Sequence, residues 1–445
     1  MKIRFTTLGC KLNFAESSAL GRELLSRGHQ RASLNETPDI CVVNTSSVTD
    51  AADHKDRQAI HQLHRKYPNA IIIVTGCYAQ LQPEQISQIE GVDYVLGQNE
   101  KYSIPKLVAT LESDAAKAAI GRAEPYGILD ATLMGEEEMR REGERVRVGA
   151  IREVEEFHGV HSGEDRTRCF IKVQDGCNYF CSYCTIPYAR GKSRNPKIEE
   201  VVKDAQEALN QGVKELIITG VNIGDFGRST GETFLDLLRA LEGLEPTGRD
   251  YRIRISSCEP NLLTDEIIDF VANSKHFAPH FHIPLQSGCN EMLKIMGRRY
   301  TRELFAERVQ HIRDVMPHAF IGVDCMVGVR GETEAYWEDY LAFIQKLDVS
   351  QLHVFTYSER ANTRMLEMDL YVVPKSERQR RSKILHQVSE EKTRAFYAKH
   401  AHRESIVLWE SKREGDQMAG FTDNYIKVYC PYDKAKINTF ELIKR

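Results

Sequence analysis

Phe170-Ile171-Lys172-Val173-Gln174-Asp175-Gly176-Cys177-Asn178-Tyr179-Phe180-Cys181-Ser182-Tyr183-Cys184 is a short β-prone run that gives way at once to three cysteines spaced C-x3-C-x2-C. A loop closing the first strand of an α/β region lies where barrel enzymes carry their chemistry. Three thiolates this close can converge on one inorganic cluster. A cubane [4Fe–4S] has four irons, so three cysteines leave one iron open to a chelating amine and carboxylate. A thioredoxin-like Cys181-x-x-Cys184 pair would not need Cys177, and a zinc knuckle needs a fourth ligand that the neighbouring sequence does not offer.

Downstream, strand-like runs recur at Phe170–Gln174, Glu215–Thr219, Arg252–Ser257, His280–Leu285, Ile321–Val327 and Gln351–Tyr357, with helical patterns between them. The clearest helix is Lys197–Gln211, whose apolar residues follow a 3.6 period. Asn195 is its expected N-cap, with Pro196 at the first position and Gly212 past the end. Six βα units predict a partial TIM-like (β/α)6 barrel.

Upstream, Lys2–Leu8, Asp39–Asn44, Ala70–Thr75 and Asp93–Leu96 alternate with helical stretches at Ala15–Arg27, Asp50–Lys66 and Gln85–Glu90, a doubly wound α/β pattern. Lys375–Arg413 reads as a basic helical stretch, and Ile406–Glu410, Gln417–Phe421, Tyr425–Cys430 and Thr439–Ile443 as strands of a small β-barrel. The expected divisions are 1–109, a connector over 110–165, the barrel over 166–374, the basic helical segment over 375–402 and the small β-barrel over 403–445.

Length and composition agree with this plan. The 445 residues suggest roughly two to four domains. A hydrophobic fraction of 41% and a charged fraction of 28% are those of a globular chain. The net charge of −4 excludes a globally basic nucleic-acid coat but not a local basic face. No stretch is apolar enough to cross a bilayer, and the first residues lack a secretory core, so a cytoplasmic location is expected. The 11 cysteines are odd in number and clustered, which favours metal chemistry over a disulfide framework.

A second group of candidates lies near the N-terminus. Thr7-Leu8-Gly9-Cys10, Val43-Asn44-Thr45-Ser46 and Thr75-Gly76-Cys77 each follow a strand. Parallel pairing would bring the three loops to one edge, so Cys10, Ser46 and Cys77 could meet. Three cysteines there would hold a second open cluster, but a serine stands at 46. It is either a lost ligand or a hard oxygen where soft sulfur is preferred. Cys41 lies inside its strand and reads as a core residue.

The C-x3-C-x2-C motif and its following strands resemble the radical S-adenosylmethionine (SAM) superfamily. That resemblance implies SAM on the open iron, Tyr183 against its adenine, Gly220 and Asn222 near the methionyl amine, and Ser257, Glu259 and Gln286 around ribose and methionine. Together with Thr-Leu-Gly-Cys-Lys-Leu-Asn (7–13), Asn-Thr-Ser-Ser-Val-Thr (44–49) and Thr-Gly-Cys-Tyr-Ala-Gln (75–80), the motif resembles the methylthiotransferases over nearly the whole chain. The family pattern has cysteine at 46 and usually proline at 330, where this chain has Ser46 and Arg330.

Gly9-Cys10-Lys11-Leu12-Asn13 resembles the branch that inserts a methylthio group at C2 of N6-threonylcarbamoyladenosine, position 37 of tRNA. The alternative is another substrate, isopentenyladenosine in tRNA or a ribosomal protein. The resemblance further implies two iron–sulfur clusters, a C-terminal TRAM-like RNA-binding module, the tRNA anticodon stem-loop as partner, a flavodoxin- or ferredoxin-type reductant, no membrane, and a monomer. No protein acid or base is required. Arg330 is a candidate fork for the threonylcarbamoyl carboxylate, Lys375–Arg413 a candidate phosphate surface, and Trp409, Tyr425 and Tyr429 are expected in the core of the small barrel.

Ser46→Cys should raise bound iron and sulfide from near one cluster per chain toward two after anaerobic reconstitution. Unchanged stoichiometry would contradict the reading of that edge.

Overall fold

The apolar runs of the first hundred residues become strands buried on both faces. β1 (Lys2–Thr7), β2 (Gln30–Arg31), β3 (Ile40–Thr45), β4 (Ile71–Gly76), β5 (Tyr94–Leu96) and β6 (Val146–Arg147) form one parallel sheet in the order β2-β1-β3-β4-β5-β6. Alternate residues serve opposite cores. Cys41, Val43, Ile72 and Val74 pack with Ile60 and Leu63 of the helix Asp50–Lys66. Ile40, Val42 and Ile73 pack with Leu20 and Leu24 of the helix Lys11–Ser26 and with Ile104 and Val108 of the helix Ile104–Ala119. Two-sided burial is why β3 and β4 read as unbroken apolar runs rather than alternating ones.

This computed structural model describes residues 1–33, 35–47, 49–119, 145–162, 167–245 and 250–444. They form two units, Met1–Val154 with Tyr188–Gly191, and Glu155–Pro187 with Lys192–Arg445. Of the expected connector, 120–144 and 163–165 lie outside the described residues. In its described part, β6 pairs with β5, and His161 bridges Ile171 in antiparallel fashion.

In the second unit β7 (Arg168–Lys172), β8 (Glu215–Thr219) and β9 (Arg252–Ile255) form one parallel sheet, and β10 (His280–Gln286), β11 (Phe320–Val327) and β12 (Gln351–Thr356) another. Parallel bridges Ile253–Phe277 and Ser257–His282 join them, so six strands curve in sequence order. Each strand is followed by a helix: Ile198–Asn210, Phe234–Glu242, Asp265–Asn273, Arg302–Val315, Glu334–Lys346 and Lys375–Lys399. Cys169, Ile171, Leu216, Ile218, Ile253, Ile255, Ile283, Val323 and Leu352 lie in the core that these helices cover. The alternate residues therefore face the inside of the curved sheet. Ser389 Oγ, from the last helix, caps the open edge of β12, accepting from Leu352 N–H at 3.0 Å and donating to Leu352 O at 2.8 Å.

The floor of this half-barrel is ionic. Glu215 pairs with Arg252 and Arg254, and all three are buried. Burial alone would raise the Glu215 carboxyl, but the two guanidinium groups hold it down at about 2. Arg252 also donates to the carbonyls of Ile406 and Phe421, tying the last sheet beneath the strands' N-terminal ends. That sheet comprises β13 (Ser405–Glu414), β14 (Gln417–Thr422), β15 (Lys427–Pro431) and β16 (Phe440–Ile443). It is antiparallel in the order β15-β14-β13-β16 and curls over Val407, Trp409 and Met418. No described helix is long and apolar enough to cross a membrane.

Several local expectations are corrected. The N-cap of Ile198–Asn210 is Lys197, not Asn195. The Glu200 carboxylate accepts from Lys197 N–H at 3.3 Å, while Asn195 Nδ2 donates to Thr230 Oγ1 at 3.1 Å. The basic helix ends at Lys399, and 405–413 belong to β13. Tyr429 is exposed rather than core, and Tyr425 packs with Phe320 and Phe396 at the barrel floor. The strands β2 and β6, two residues each, carried no periodic signal.

Gly76 has φ +101°, and a Cβ there would come 2.6 Å from Asn44 Oδ1. Gly76→Ala is expected to destabilise the first unit by about 1–3 kcal/mol in urea unfolding, the usual cost of a strained left-handed backbone.

Candidate functional site

The loop after β7 is built around Gln174, which is fully buried. Its Nε2 donates to Asp175 O at 3.0 Å, Gly176 O at 2.7 Å and Ser193 Oγ at 3.0 Å. Its Oε1 accepts from the N–H groups of Val221 and Asn222 at 2.9 and 2.8 Å. One side chain thus satisfies backbone groups at the ends of two adjacent strands, which burial requires. Gly220 is where it is because a Cβ would stand 3.0 Å from both Gln174 O and Gln174 Oε1 and 2.8 Å from Ile223 Cγ2.

From this anchor the chain winds through Gly176 (φ +70°) and Phe180 (φ +51°), a left-handed turn in a non-glycine residue that is the kind of strain found at functional loops. Met296 O accepts from Ser182 N–H at 3.0 Å, and Ile295 O accepts from Ser182 Oγ at 2.8 Å. Each cysteine sulfur accepts a different donor. Cys177 Sγ takes the N–H of Tyr179 at 3.4 Å, Cys184 Sγ the N–H of Ile186 at 3.4 Å, and Cys181 Sγ takes Nη1 of Arg298 at 3.1 Å. Burial pushes the Cys177 thiol up to about 12 and raises Cys181 and Cys184 as well; Cys184 is also held up by Cys181 and Cys177 beside it. A bound metal reverses this, because a coordinating thiol is deprotonated outright.

The donor set fits an iron–sulfur cluster: three soft sulfurs, each with a hydrogen-bond donor, as such clusters use. The neighbouring strand ends fit a polar cofactor. Neither polar atom of the buried Asn222 side chain is hydrogen-bonded, although the Tyr179 hydroxyl is near. Gln286, at φ +66°, has an unpaired buried Oε1. Ser257 lies beside them through its bridge to His282, and Glu259 is paired with Arg298. Tyr183, between Cys181 and Cys184, packs partly against the barrel core.

The first unit gathers its own group at the C-terminal ends of β1, β3 and β4. A Cβ on Gly9 would stand 2.6 Å from Ser46 Cβ, so the first two loops touch. Asn13 Nδ2 bridges them, donating to Leu8 O at 2.8 Å and Thr45 O at 2.9 Å, and Thr45 Oγ1 donates to Thr75 O at 2.6 Å. Cys10 is exposed and Cys77 buried. Burial raises the Cys77 thiol, with Arg190 and Lys101 acting against the rise and Cys10 adding to it. Cys41 lies in the core and is pushed up to about 11 by burial, away from the trio.

Beneath this edge sits a fully buried ion network. Arg190 Nη1 donates to Glu16 Oε1 at 3.0 Å, Arg190 Nη2 to Asn13 Oδ1 at 2.7 Å, and Lys101 Nζ to Glu16 Oε2 at 2.6 Å. Ser46 N–H donates to Asp56 Oδ2 at 3.0 Å, and burial pushes the Asp56 carboxyl up to about 8. Gln174, Arg298, Asn13, Glu16, Lys101, Arg190 and Asp56 were not anticipated. Each engages a partner on another loop or element, and no periodicity marks them. Arg330 is already paired inside the chain, its Nε donating to Glu359 Oε1 at 2.9 Å. In the basic helix, Arg381 is buried against Glu332 and Arg378 donates to Tyr357 O, so the phosphate surface is narrower than the charge run suggests.

Residues 171–344 match the Radical SAM superfamily, and residues 2–97 match a family described as Uncharacterized protein family UPF0004. The chain is 34% identical over 435 residues to the threonylcarbamoyladenosine tRNA methylthiotransferase MtaB of Bacillus subtilis, covering 96% of this chain and 89% of that one. It is 33% identical to the protein of the same name from Aquifex aeolicus, covering 96% of each. A tRNA-2-methylthio-N(6)-dimethylallyladenosine synthase of Alkaliphilus oremlandii is 30% identical, with 95% of this chain and 85% of that one covered. In fold, the chain is similar to the radical S-adenosylmethionine methyltransferase TsrM from Kitasatospora setae. The TM-score is 0.52 at 16% identity, over 80% of this chain and 74% of that one.

Removing Arg190 would leave Glu16 buried with half its compensation. Arg190→Met is expected to cost roughly 3–5 kcal/mol in chemical denaturation, the range for breaking a buried pair from one side. Arg190→Lys should restore little, lacking the fork that reaches both Asn13 and Glu16.

Proposed function

We infer, from the premise that this chain belongs to the methylthiotransferases of the radical SAM superfamily, that it inserts a methylthio group at carbon 2 of N6-threonylcarbamoyladenosine at position 37 of tRNA. The observation that carries the reading is the C-x3-C-x2-C loop, with three donor-supported sulfurs, opening beside the unpaired polar atoms of Asn222 and Gln286. Carbon 2 of an adenine has no acidic proton and no leaving group, so general-base chemistry cannot activate it at neutral pH. A [4Fe–4S] cluster with SAM, when bound, would supply a 5′-deoxyadenosyl radical that can.

The roles of the chain's own groups follow. Cys177, Cys181 and Cys184 would hold the cluster, and Gln174 keeps their loop registered against Gly220–Asn222. Tyr183 packs on the adenine, Gly220 and Asn222 receive the methionyl amine, and Ser257, Glu259 and Gln286 hold ribose and methionine. Cys10 and Cys77 hold a second iron–sulfur cluster that lacks its third thiol, Ser46 offering only oxygen. Arg190 and Lys101 lie beside Cys77 and offset the charge of its thiolate.

The partner is tRNA, presented by its anticodon stem-loop, with the target base flipped out of its stack. In the C-terminal sheet, which we read as TRAM-like, Tyr429 is exposed and Lys427 lies 4.8 Å from its ring centroid. An aromatic face beside a cation suits a stacked base near phosphate. The electron comes from a flavodoxin- or ferredoxin-type reductant, and the chain acts as a monomer. Similarity to the dimethylallyladenosine synthase favours isopentenyladenosine as the second reading.

Nucleoside mass spectrometry of tRNA from a strain lacking this gene and any paralogue should show 2-methylthio-N6-threonylcarbamoyladenosine lost and its precursor accumulated. The wild-type gene should restore it and Cys177→Ala should not. Loss of the isopentenyl derivative instead would select the second reading, and no change in either would defeat both.

A further inference from the structure

Among the three cysteines of the barrel loop, Cys181 alone takes a charged donor. Cys177 and Cys184 accept backbone N–H groups. Cys181 Sγ accepts from Arg298 Nη1 at 3.1 Å, and the Arg298 side chain is only 3% exposed. The same guanidinium donates through Nε to Tyr300 Oη at 3.1 Å and through Nη2 to the Glu259 carboxylate. Tyr183 Oη stands 3.5 Å from Nη1. This one cation therefore touches a sulfur, the carboxylate read as a cofactor contact, and the aromatic residue between Cys181 and Cys184.

Its position is over-determined. The helix Asn290–Ile295 ends in a Schellman motif. Gly297, at φ +71°, donates its N–H to Lys294 O at 3.1 Å, and Arg298 donates its N–H to Leu293 O at 2.9 Å. The preceding carbonyl, Met296 O, holds the cysteine loop through Ser182 N–H at 3.0 Å. Tyr300, which receives Nε, is itself fixed by Pro284 O at 2.6 Å and Leu285 O at 2.8 Å of β10. A guanidinium locked this way cannot swing to solvent when the charge at sulfur changes.

We propose that Arg298 is a positioning residue that sets the reduction potential of the barrel's cluster through its charged N–H···S bond to Cys181. The proposal rests on the reading of this loop as a cluster site. Cluster potentials depend on net charge, burial and hydrogen bonds to the sulfurs. One added electron increases the negative charge on the cluster and its thiolate ligands. A buried cation in contact with one of them stabilises the reduced form more than the oxidised form, and in a low-dielectric site that difference is not screened away. Arg298 thus makes electron uptake from the reductant easier. Glu259, sharing the guanidinium, tempers the effect.

The test is a dithionite titration followed by electron paramagnetic resonance on the reconstituted full chain. It is done in a Cys10→Ala background so that only the barrel signal is read. Arg298→Met should make the cluster at least tenfold harder to reduce, a midpoint about 59 mV lower for a one-electron couple. Arg298→Lys, which keeps the charge but not the fork, should fall between that variant and the parent. If Arg298→Met binds no iron, Arg298→Lys decides alone: a lowered midpoint supports the proposal and an unchanged one overturns it. A parent chain with no cluster signal would instead overturn the reading of the loop. Parent and both variants titrating together would overturn the role of Arg298 and leave that reading intact.

Discussion

Parallel strand pairing is the constraint on which both sites depend. Parallel strands end on the same edge, so every loop that leaves a C-terminal end emerges beside its neighbours' loops. In the first unit this places Cys10, Ser46 and Cys77 at the ends of β1, β3 and β4. In the second it aligns the cysteine loop after β7 with the turns after β8, β9 and β10. Crowded loop ends leave many backbone groups without sheet partners. Two polar side chains each join two loops by satisfying such groups: Gln174 in the barrel and Asn13 in the N-terminal sheet. Neither touches the reacting atoms in the proposed scheme, yet each decides where the cysteines stand.

Buried charge is the second common thread. Glu215 with Arg252 and Arg254, Glu16 with Arg190 and Lys101, and Glu259 with Arg298 are paired groups withdrawn from water. Each would be costly alone, and pairing offsets the desolvation. The first set seals the barrel floor against the C-terminal sheet. The other two stand beside thiols, Cys77 and Cys181, where a cation favours the thiolate that metal binding requires. Ser46 stands apart from this chemistry. Its backbone is tied to a buried carboxyl, Asp56, and its side chain offers oxygen where Cys10 and Cys77 offer sulfur.

The C-terminal third shows how tertiary packing reassigns charge. Lys375–Arg413 carries a dense run of cations, but Arg378 and Arg381 turn inward to brace the ends of β11 and β12, and Arg403 pairs with Asp423. What remains is a smaller set of side chains, joined on the last sheet by the exposed Tyr429, whose neighbour Lys427 is itself paired with Glu414.

Most strand positions, the parallel character of the two α/β regions and the three-thiol loop were legible in the sequence, because buried parallel strands write themselves as apolar runs and a chelating loop as a fixed spacing; the two-residue β2 and β6 were not. Glu215–Thr219 was read to the residue. Helix ends were less legible. Lys11 rather than Ala15 opens the first helix, and Lys197 rather than Asn195 caps another, since Asn195 found partners on a loop far along the chain. Which side chains would stand behind each cysteine could not be read at all. Gln174, Arg298 and Arg190 reach partners tens to more than a hundred residues away, Asp56 reaches back from the following helix to Ser46, and only the folded chain brings a guanidinium to a sulfur. Residue type and local spacing determine what a loop is able to bind; long-range packing alone decides which charges and donors it binds with.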